Sequence, residues 1–386
     1  MTIVFFSNFL NHHQVLVAEE LYKATSGCYI FVETMAMPEW IAKSGYPDFS
    51  SKPYLLQAWK GEGEMEKARQ LALDADVALF AGFEVLYFEK LRVSKTNKMT
   101  FDVSERWLKR GLFSVLSPRI LKLYWAYIIG GWSKKPVYKL CSGGYTAKDQ
   151  KTLFTYKDKC YRWGYFTAVP DINFHSDNVL MLYEKDATTT VNMMWCARFL
   201  WWKHPELPIQ LASRLKADGY SFHINLFGSG EKLVEMKKLA ANLDVTDVVS
   251  FCGNKPNAEI LDEMKKHQIF LFTSDRNEGW GAVCNEAMSQ GCAVVGSHEI
   301  GSVPFLIEDG VNGLIFKSCS IDSFYAKVKE LLNTQKLLAD IRKNAVKTMQ
   351  TMWSPQVAAK NLLTLIVDLQ NGRDTSIKEG PCSKVY

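Results

Sequence analysis

In Thr273-Ser274-Asp275-Arg276-Asn277-Glu278-Gly279-Trp280-Gly281-Ala282-Val283-Cys284-Asn285-Glu286-Ala287-Met288 an apolar run stops at Thr273, a turn with two glycines follows, and a helical pattern opens near Gly281. A helix start presents unpaired backbone N–H groups and the positive end of the helix dipole, which together seat a phosphate. Glu278 lies in the turn before that seat. Glu286 lies more than one turn into the helix, about 7 or 8 Å along at 1.5 Å per residue. The two carboxylates thus flank a phosphate and accept hydrogen bonds from hydroxyls on either side of it. A nucleotide-diphosphate sugar has this layout, with a sugar at one end of the pyrophosphate and a ribose at the other.

Such a loop needs a strand to deliver it and a sheet to hold the strand. Short β-branched or aromatic runs alternate with helical patterns along the whole chain, which implies parallel sheets covered by helices on both faces. In the first half the strands are expected at Ile3–Ser7, Cys28–Glu33, Val77–Ala81, Lys98–Val103, Tyr138–Cys141 and Cys160–Tyr165, with a helix over Glu62–Leu73. Periodicity stops at Val169-Pro170-Asp171-Ile172-Asn173-Phe174-His175-Ser176, where the domain boundary is placed. It restarts with strands at Val191–Cys196, His223–Phe227, Val248–Cys252, Ile269–Thr273, Ala293–Gly296 and Leu314–Phe316. Helices follow over Ile321–Asn333 and Gln335–Met352, and Ser354-Pro355 starts a last one that runs to about Leu369. The polar tail from Asn371 to Tyr386 is expected to be loose.

The form Glu-Gly-Trp-Gly-x4-Glu-Ala-Met, with Glu278 and Glu286 separated by seven residues, resembles the signature of retaining glycosyltransferases of family 4. Other stretches agree in order and spacing: Ala197-Arg198-Phe199-Leu200-Trp201-Trp202-Lys203-His204, Leu226-Phe227-Gly228-Ser229-Gly230, Val249-Ser250-Phe251-Cys252-Gly253 and Glu308-Asp309-Gly310-Val311-Asn312-Gly313. The similarity covers about 190–320 by motif and the first half by general layout. It implies an α/β protein of the GT-B fold, two Rossmann-like αβα domains facing across a cleft. An acceptor domain is expected over 1–170, a nucleotide-sugar domain over 171–352, a helix over 353–370 crossing back to the first domain, and a flexible tail over 371–386.

By the same resemblance, Arg198 and Lys203 hold the donor pyrophosphate and offset the charge of the departing diphosphate, and Glu278 contacts the transferred sugar. The three are the expected catalytic residues. Glu286 is expected on the ribose, Phe251, Cys252 and Gly253 near the base, and Gly228, Ser274, Gly279, Trp280, Gly281, Ala282 and Val283 around the donor. Asn11, His12 and His13 after the first strand, and Glu105 and Arg106 after the strand ending at Val103, are the expected acceptor-side groups. Ala197 and His204 replace two glycines of the family's basic motif, and Phe305 stands where the family often has Glu. A catalytic-side histidine common in the family's first domain has no clear counterpart.

Composition limits the alternatives. At 386 residues and 43.9 kDa, with 47% hydrophobic and 23% charged residues, the chain is too long for a single small module and has the balance of an ordinary globular protein. Nine scattered cysteines without a Cys-x-x-Cys pair make neither a zinc cage nor a disulfide framework. Asp74-Ala75-Asp76 imitates a metal-binding Asp-x-Asp but precedes a strand, so its carboxylates fall at the wrong sheet edge. No metal and no cofactor are expected beyond the nucleotide-diphosphate sugar as co-substrate.

The N-terminus reads as a strand and not a signal peptide, and the longest apolar stretch, 124–132, is short of the roughly 20 residues that cross a bilayer. A cytosolic protein is the expectation. Net charge is +5, and Arg106 to Lys148 contains no acid while basic residues alternate with Trp, Tyr and Phe. That stretch is expected to contact an anionic inner leaflet. No nucleic-acid recognition motif accompanies it. The partners expected are therefore a nucleotide-sugar donor and a saccharide acceptor, free or lipid-linked, of the capsule or lipopolysaccharide type. The competing readings are a nucleotide-sugar epimerase of the same fold and a non-catalytic sugar-binding partner.

Overall fold

The computed structural model describes residues 1–39, 47–82, 84–109, 111–170 and 190–385, with the backbone alone at Arg119. The chain divides into two compact units, Met1–Thr167 with Trp353–Tyr386, and Ala168–Met352. The boundary expected at Val169 to Ser176 lies, from Asp171 onward, outside the described residues.

The first unit is built on β1 (Ile3–Ser7), β2 (Tyr29–Glu33), β3 (Leu55–Gln57), β4 (Val77–Ala81), β5 (Met99–Ser104), β6 (Val137–Ser142) and β7 (Cys160–Trp163), all parallel, in the order β3-β2-β1-β4-β5-β6-β7. Its helices are α1 (Val15–Ala24), α2 (Glu62–Asp74), α3 (Leu86–Lys95), α4 (Pro118–Ile128) and α5 (Thr146–Thr152). Every residue of β1 is buried, as expected for a parallel strand covered on both faces. The fully buried guanidinium of Arg92 on α3 donates to Thr100 Oγ1 and to the carbonyls of Ala72, Ala75, Asp76 and Met99. It thereby fixes the entrances to β4 and β5. The Asp76 carboxylate accepts the N–H of Thr2 at 2.8 Å, so it caps the incoming end of the sheet, opposite the edge where ligands bind.

The second unit carries β8 (Val191–Cys196), α6 (Glu206–Ala217), β9 (Phe222–Phe227), α7 (Leu233–Asn242), β10 (Val249–Gly253), α8 (Asn257–Lys265), β11 (Ile269–Phe272), α9 (Val283–Ser289), β12 (Ala293–Ser297), α10 (Val303–Leu306), β13 (Leu314–Phe316), α11 (Ile321–Asn333) and α12 (Gln335–Thr351). Its parallel strands run β10-β9-β8-β11-β12-β13. Trp195, Leu226, Leu271 and Val295 from the sheet and Leu211, Leu215, Met236 and Phe324 from helices share one core. Strand order reverses direction between β8 and β11. At such a point the connections leave to opposite faces and open a crevice beyond the strand ends.

The last helix, α13 (Pro355–Gln370), starts where Ser354 Oγ accepts the N–H of Val357 at 3.3 Å, with proline in the first turn. It packs on α1 and so returns the chain to the first unit. The tail is not loose. Cys382 N–H donates to the Arg162 carbonyl at 2.7 Å, Arg162 N–H to Ser383 at 2.8 Å, and Val385 N–H to Cys160 at 3.1 Å, which covers the outer edge of β7. Cys382 and Ser383 are buried, and Ser376 is bonded to Asp368 on α13. The end of the tail is held by these bonds although residues 371–374, 378 and 379 stay exposed, and an uncovered strand edge is a liability that folds suppress.

Candidate functional site

At the switch point of the second unit the loops leaving β8 and β11 are tied together. Trp195 Nε1 donates to Thr273 Oγ1 at 2.9 Å, whose hydroxyl donates to the Lys203 carbonyl at 2.6 Å, and Asp275 N–H donates to the Trp202 carbonyl at 3.0 Å. On this frame the Lys203 ammonium forms an ion pair with Glu278, and Ser274 Oγ donates to the same carboxylate oxygen at 3.1 Å. Arg198, one turn earlier in the loop, is exposed, and its side chain makes no hydrogen bond or ion pair among the described residues. Its guanidinium is a cation without a counter-ion among the described residues.

The glycine-to-histidine departure at 204 has a backbone meaning. His204 has φ +48°, a left-handed conformation that glycine adopts at no steric cost. Here the imidazole helps to hold the strained residue: Nδ1 is 2.8 Å from Glu206 Oε1, and Nε2 is 3.4 Å from Asp275 Oδ2. These carboxylates outweigh burial and raise the imidazole pKa above its ordinary value, the Glu206 hydrogen bond most of all. At Gly228, with φ +132°, a Cβ would stand 1.9 Å from the Ala197 carbonyl oxygen. Only glycine lets β9's exit pass under the Arg198 loop.

The β11 loop is held from the other side. Gly301 N–H donates to the Glu278 carbonyl and Ser302 N–H to that of Trp280, both at 3.2 Å, and a Cβ on Gly301 would fall 1.6 Å from the Gly279 oxygen. Trp280 is wholly buried, with Nε1 donating to Asn285 at 2.8 Å and Phe305 edge-on at 6.3 Å. Phe305 therefore packs under the loop. Gly281 has φ +83°, and α9 opens at Val283 after Ala282, slightly later than the sequence pattern suggested. The carbonyl of Gly253 receives the N–H of Gly228 at 2.8 Å, and the β10 register shifts between Phe251 and Gly253, so Cys252 occupies a bulge. Phe251 packs on the core near Phe199, 6.2 Å away.

Glu286 on α9 is 7% exposed and accepts a hydrogen bond from Asn257 Nδ2 at 2.9 Å. Burial pushes its pKa up to about 7, against the opposing effect of the Asn257 bond. The thiol of Cys196, at the end of β8, feels both sides of the site: burial and then the Glu286 charge push it up to about 12, with Lys203 opposing. Thus the structure brings Lys203, Ser274 and Glu278 into direct contact, with Glu286 on the helix that follows the same loop. Sequence reasoning missed Asn257, Gly301 and the His204–Asp275 tie. Asn257 follows a proline at a helix start, but nothing in its spacing points to Glu286.

In the first unit a cavity of about 930 Å³ lies beyond the carboxyl ends of β1, β4, β5, β6 and β7. Asn11, His13, Glu105 and Arg106 line it, whereas His12 packs against His13 with ring centres 3.7 Å apart and planes tilted by 51°, and is not a lining residue. Arg106 is committed to structure, paired with the buried Asp149 at 3.1 Å and lying 5.2 Å from the Tyr145 ring. Glu105 accepts from Tyr165 at 3.0 Å and pairs with Lys109 at 2.6 Å. His13 lies parallel to Tyr165 with ring centres 5.7 Å apart, and its Nδ1 is buried without a hydrogen-bond partner among the described residues. Burial, then repulsion from His12, lowers its pKa to about 3, so the ring is neutral at neutral pH. Asn8, Trp163, Tyr165 and Phe166 also line the cavity and had no motif to announce them.

The stretch 106–148 divides in two. Trp107, Leu123, Tyr127 and Trp132 are buried in one core cluster with Tyr156. Leu112, Phe113, Leu116, Trp125 and Ile129 are exposed, Phe113 by 83%. Arg110 lies outside the described residues, and no described helix is long and apolar enough to cross a membrane.

Residues 188–348 match the family model described as glycosyl transferases group 1. The chain is 26% identical over 163 residues to the amylovoran biosynthesis glycosyltransferase AmsK of Erwinia amylovora, covering 41% of this chain and 40% of that one. The curated relatives are each matched over less than half of their own length. Among solved structures, Anabaena HepE in complex with UDP superposes with a TM-score of 0.67 at 14% identity, covering 94% of this chain and 98% of that one. The lipopolysaccharide outer core galactosyltransferase WaaB superposes with a TM-score of 0.69 at 11% identity, covering 96% of this chain and 100% of that one. The fold is that of the GT-B glycosyltransferases, two parallel-sheet α/β units with the last helix returned to the first.

Proposed function

We propose that this protein is a retaining, metal-independent glycosyltransferase of family 4. It moves a sugar from a nucleotide-diphosphate sugar to a saccharide acceptor, a lipid-linked intermediate of a surface polysaccharide. The observation that carries this reading is the Lys203–Glu278 pair, largely sheltered from water at the switch point of the second sheet, with the Arg198 cation, unpaired among the described residues, in the same loop. In the reaction the bond from the sugar's anomeric carbon to the diphosphate oxygen breaks, and its electron pair leaves with the diphosphate. Fixed cations aimed at that charge lower the barrier. Lys203 and Arg198 serve that purpose, Glu278 accepts hydroxyls of the transferred sugar, and ionised Glu286 accepts those of the ribose. The N–H groups from Gly281 to Val283 face the phosphates, while Gly228 and Phe251 to Gly253 border the base.

The acceptor occupies the cavity of the first unit, where the neutral His13, Asn11 and Glu105 offer hydrogen-bond groups among aromatic rings. Arg106, which also lines the cavity, is held in place by its ion pair with Asp149. The exposed apolar residues at 112, 113, 116 and 125, together with the lysines of the same stretch, rest on the inner face of the cell membrane and bring the enzyme to a lipid-borne substrate. The names of AmsK and WaaB, which refer to amylovoran and to lipopolysaccharide outer core, support a polysaccharide acceptor. No observation favours the epimerase.

Incubating the purified protein with radiolabelled nucleotide sugars, with and without membranes and in excess chelator, tests this. Label appearing in the lipid fraction without added metal is expected. Epimerised donor, binding without turnover, or strict dependence on manganese would each overturn part of the reading in a recognisable way.

A further inference from the structure

A second reactive constellation lies in the same unit, on residues that the donor reading does not use. Cys319, between β13 and α11, places Sγ 3.4 Å from Nε2 of His204, between β8 and α6. The other ring nitrogen of His204 is 2.8 Å from Glu206 Oε1. This is the arrangement by which proteins activate a nucleophile: the thiol within reach of a base, and the base oriented by a carboxylate on its far nitrogen. Cys319 is exposed, and both it and His204 hold left-handed backbone, with φ of +57° and +48°. Two non-glycine residues in that sparsely populated region meet at one contact.

We infer that Cys319 is a nucleophilic thiol, with His204 as its base and Glu206 as the group that orients the base, and that it is a site of covalent modification by soft electrophiles such as peroxides and alkylating agents. With an alkyl halide, the S–H proton passes to Nε2, sulfur forms a bond to carbon, and the halide leaves with the pair of the broken bond. With a peroxide, sulfur takes up one oxygen as the O–O bond breaks. Sulfur is oxidised to the sulfenic acid, and the peroxide is reduced to water with the proton that the imidazole releases.

The groups facing the pair favour the proton transfer. Glu206 and Asp275 make His204 more basic, and His298 Nδ1 fixes the segment before the thiol by accepting the Ser318 N–H at 2.9 Å. Lys317 adds a positive charge two residues before the thiol. An adduct on Sγ would occupy space beside Nε2, which also reaches Asp275 next to Ser274.

Cys28, the other exposed cysteine, is an internal reference in the same molecule. The reduced full chain is treated with substoichiometric iodoacetamide at pH 7.5 and the two sites are followed by peptide mass mapping. Cys319 should react about 10-fold faster than Cys28. His204→Asn should bring the two rates together, because asparagine tolerates left-handed backbone and keeps the loop while removing the base. Glu206→Gln should slow Cys319 without affecting Cys28, and it supplies the test if the His204 variant does not fold. Equal rates in the unmodified protein, or a rate ratio indifferent to both substitutions, would overturn the inference.

Discussion

Lys203 and Glu278 come from loops that leave two adjacent strands, β8 and β11, and they meet as an ion pair with each side chain only 15% exposed. In the proposed reaction the two have different targets, the diphosphate and the sugar. Lys203→Ala should therefore lower turnover by about 10² to 10³ through loss of charge stabilisation. Glu278→Gln frees the lysine, so it should bind a nucleoside diphosphate at least as tightly as the unmodified protein while transferring poorly. Calorimetry with UDP beside a turnover assay separates the two, and equal loss of UDP binding in both variants would contradict the division of roles.

Glu286 gives a pH signature. Its folded pKa, about 7, lies above the ordinary 4.5, so between these values the folded protein binds more protons than the unfolded chain. Stability then falls as pH rises through that window and levels off above it, by on the order of 3 kcal/mol in total. Glu286→Gln removes the dependence. Its melting temperature relative to the unmodified protein should rise from pH 5 to pH 8, and a constant difference would show that the carboxyl is not desolvated.

Gly301 tests the support of the β11 loop. Since a Cβ there would meet the Gly279 carbonyl at 1.6 Å, Gly301→Ala must displace the loop that carries Glu278. UDP affinity should drop by more than about tenfold, with a loss of stability of the size typical of overpacking, about 1–3 kcal/mol. Gly63 on α2 meets nothing within 4 Å, so Gly63→Ala should instead stabilise by about 0.5–1 kcal/mol, visible as a raised melting temperature with UDP binding unchanged.

Membrane contact predicts co-sedimentation with vesicles containing anionic lipid, weakened as salt shortens the Debye length to about 10 Å at 0.1 M. Phe113 and Leu116 are 83% and 73% exposed, so replacing both with Asp should abolish sedimentation without lowering the melting temperature. Retained sedimentation would move the contact elsewhere.

What the sequence made legible were the strands with dense β-branched and aromatic runs, such as Ile3–Ser7 and Tyr29–Glu33, because parallel strands covered on both faces leave that pattern. β3, three half-buried residues at the sheet edge, has too few side chains to show a period. The tail misled because polarity was taken for solvation, whereas its polar atoms close β7 and bind Asp368. At the site, the glutamates stood out by their place on either side of the glycine turn, and the lysine through the resemblance of its stretch to the family's basic motif. Asn257 beside Glu286 and Asp275 beside His204 did not, because contacts between loops of different strands leave no local trace. The ion pair of Arg106 with Asp149, between a loop and a helix distant in sequence, left no local trace either, although Arg106 does line the cavity.

The central claim is that the crevice between the ends of β8 and β11 grips a diphosphate. A crystal soaked with UDP-glucose measures this directly. The account predicts diphosphate oxygens within hydrogen-bonding distance of Lys203 Nζ, with Glu278 turned from the lysine to the glucose hydroxyls. Density for the nucleotide at any other place on the chain, with the Lys203–Glu278 pair intact, would contradict it.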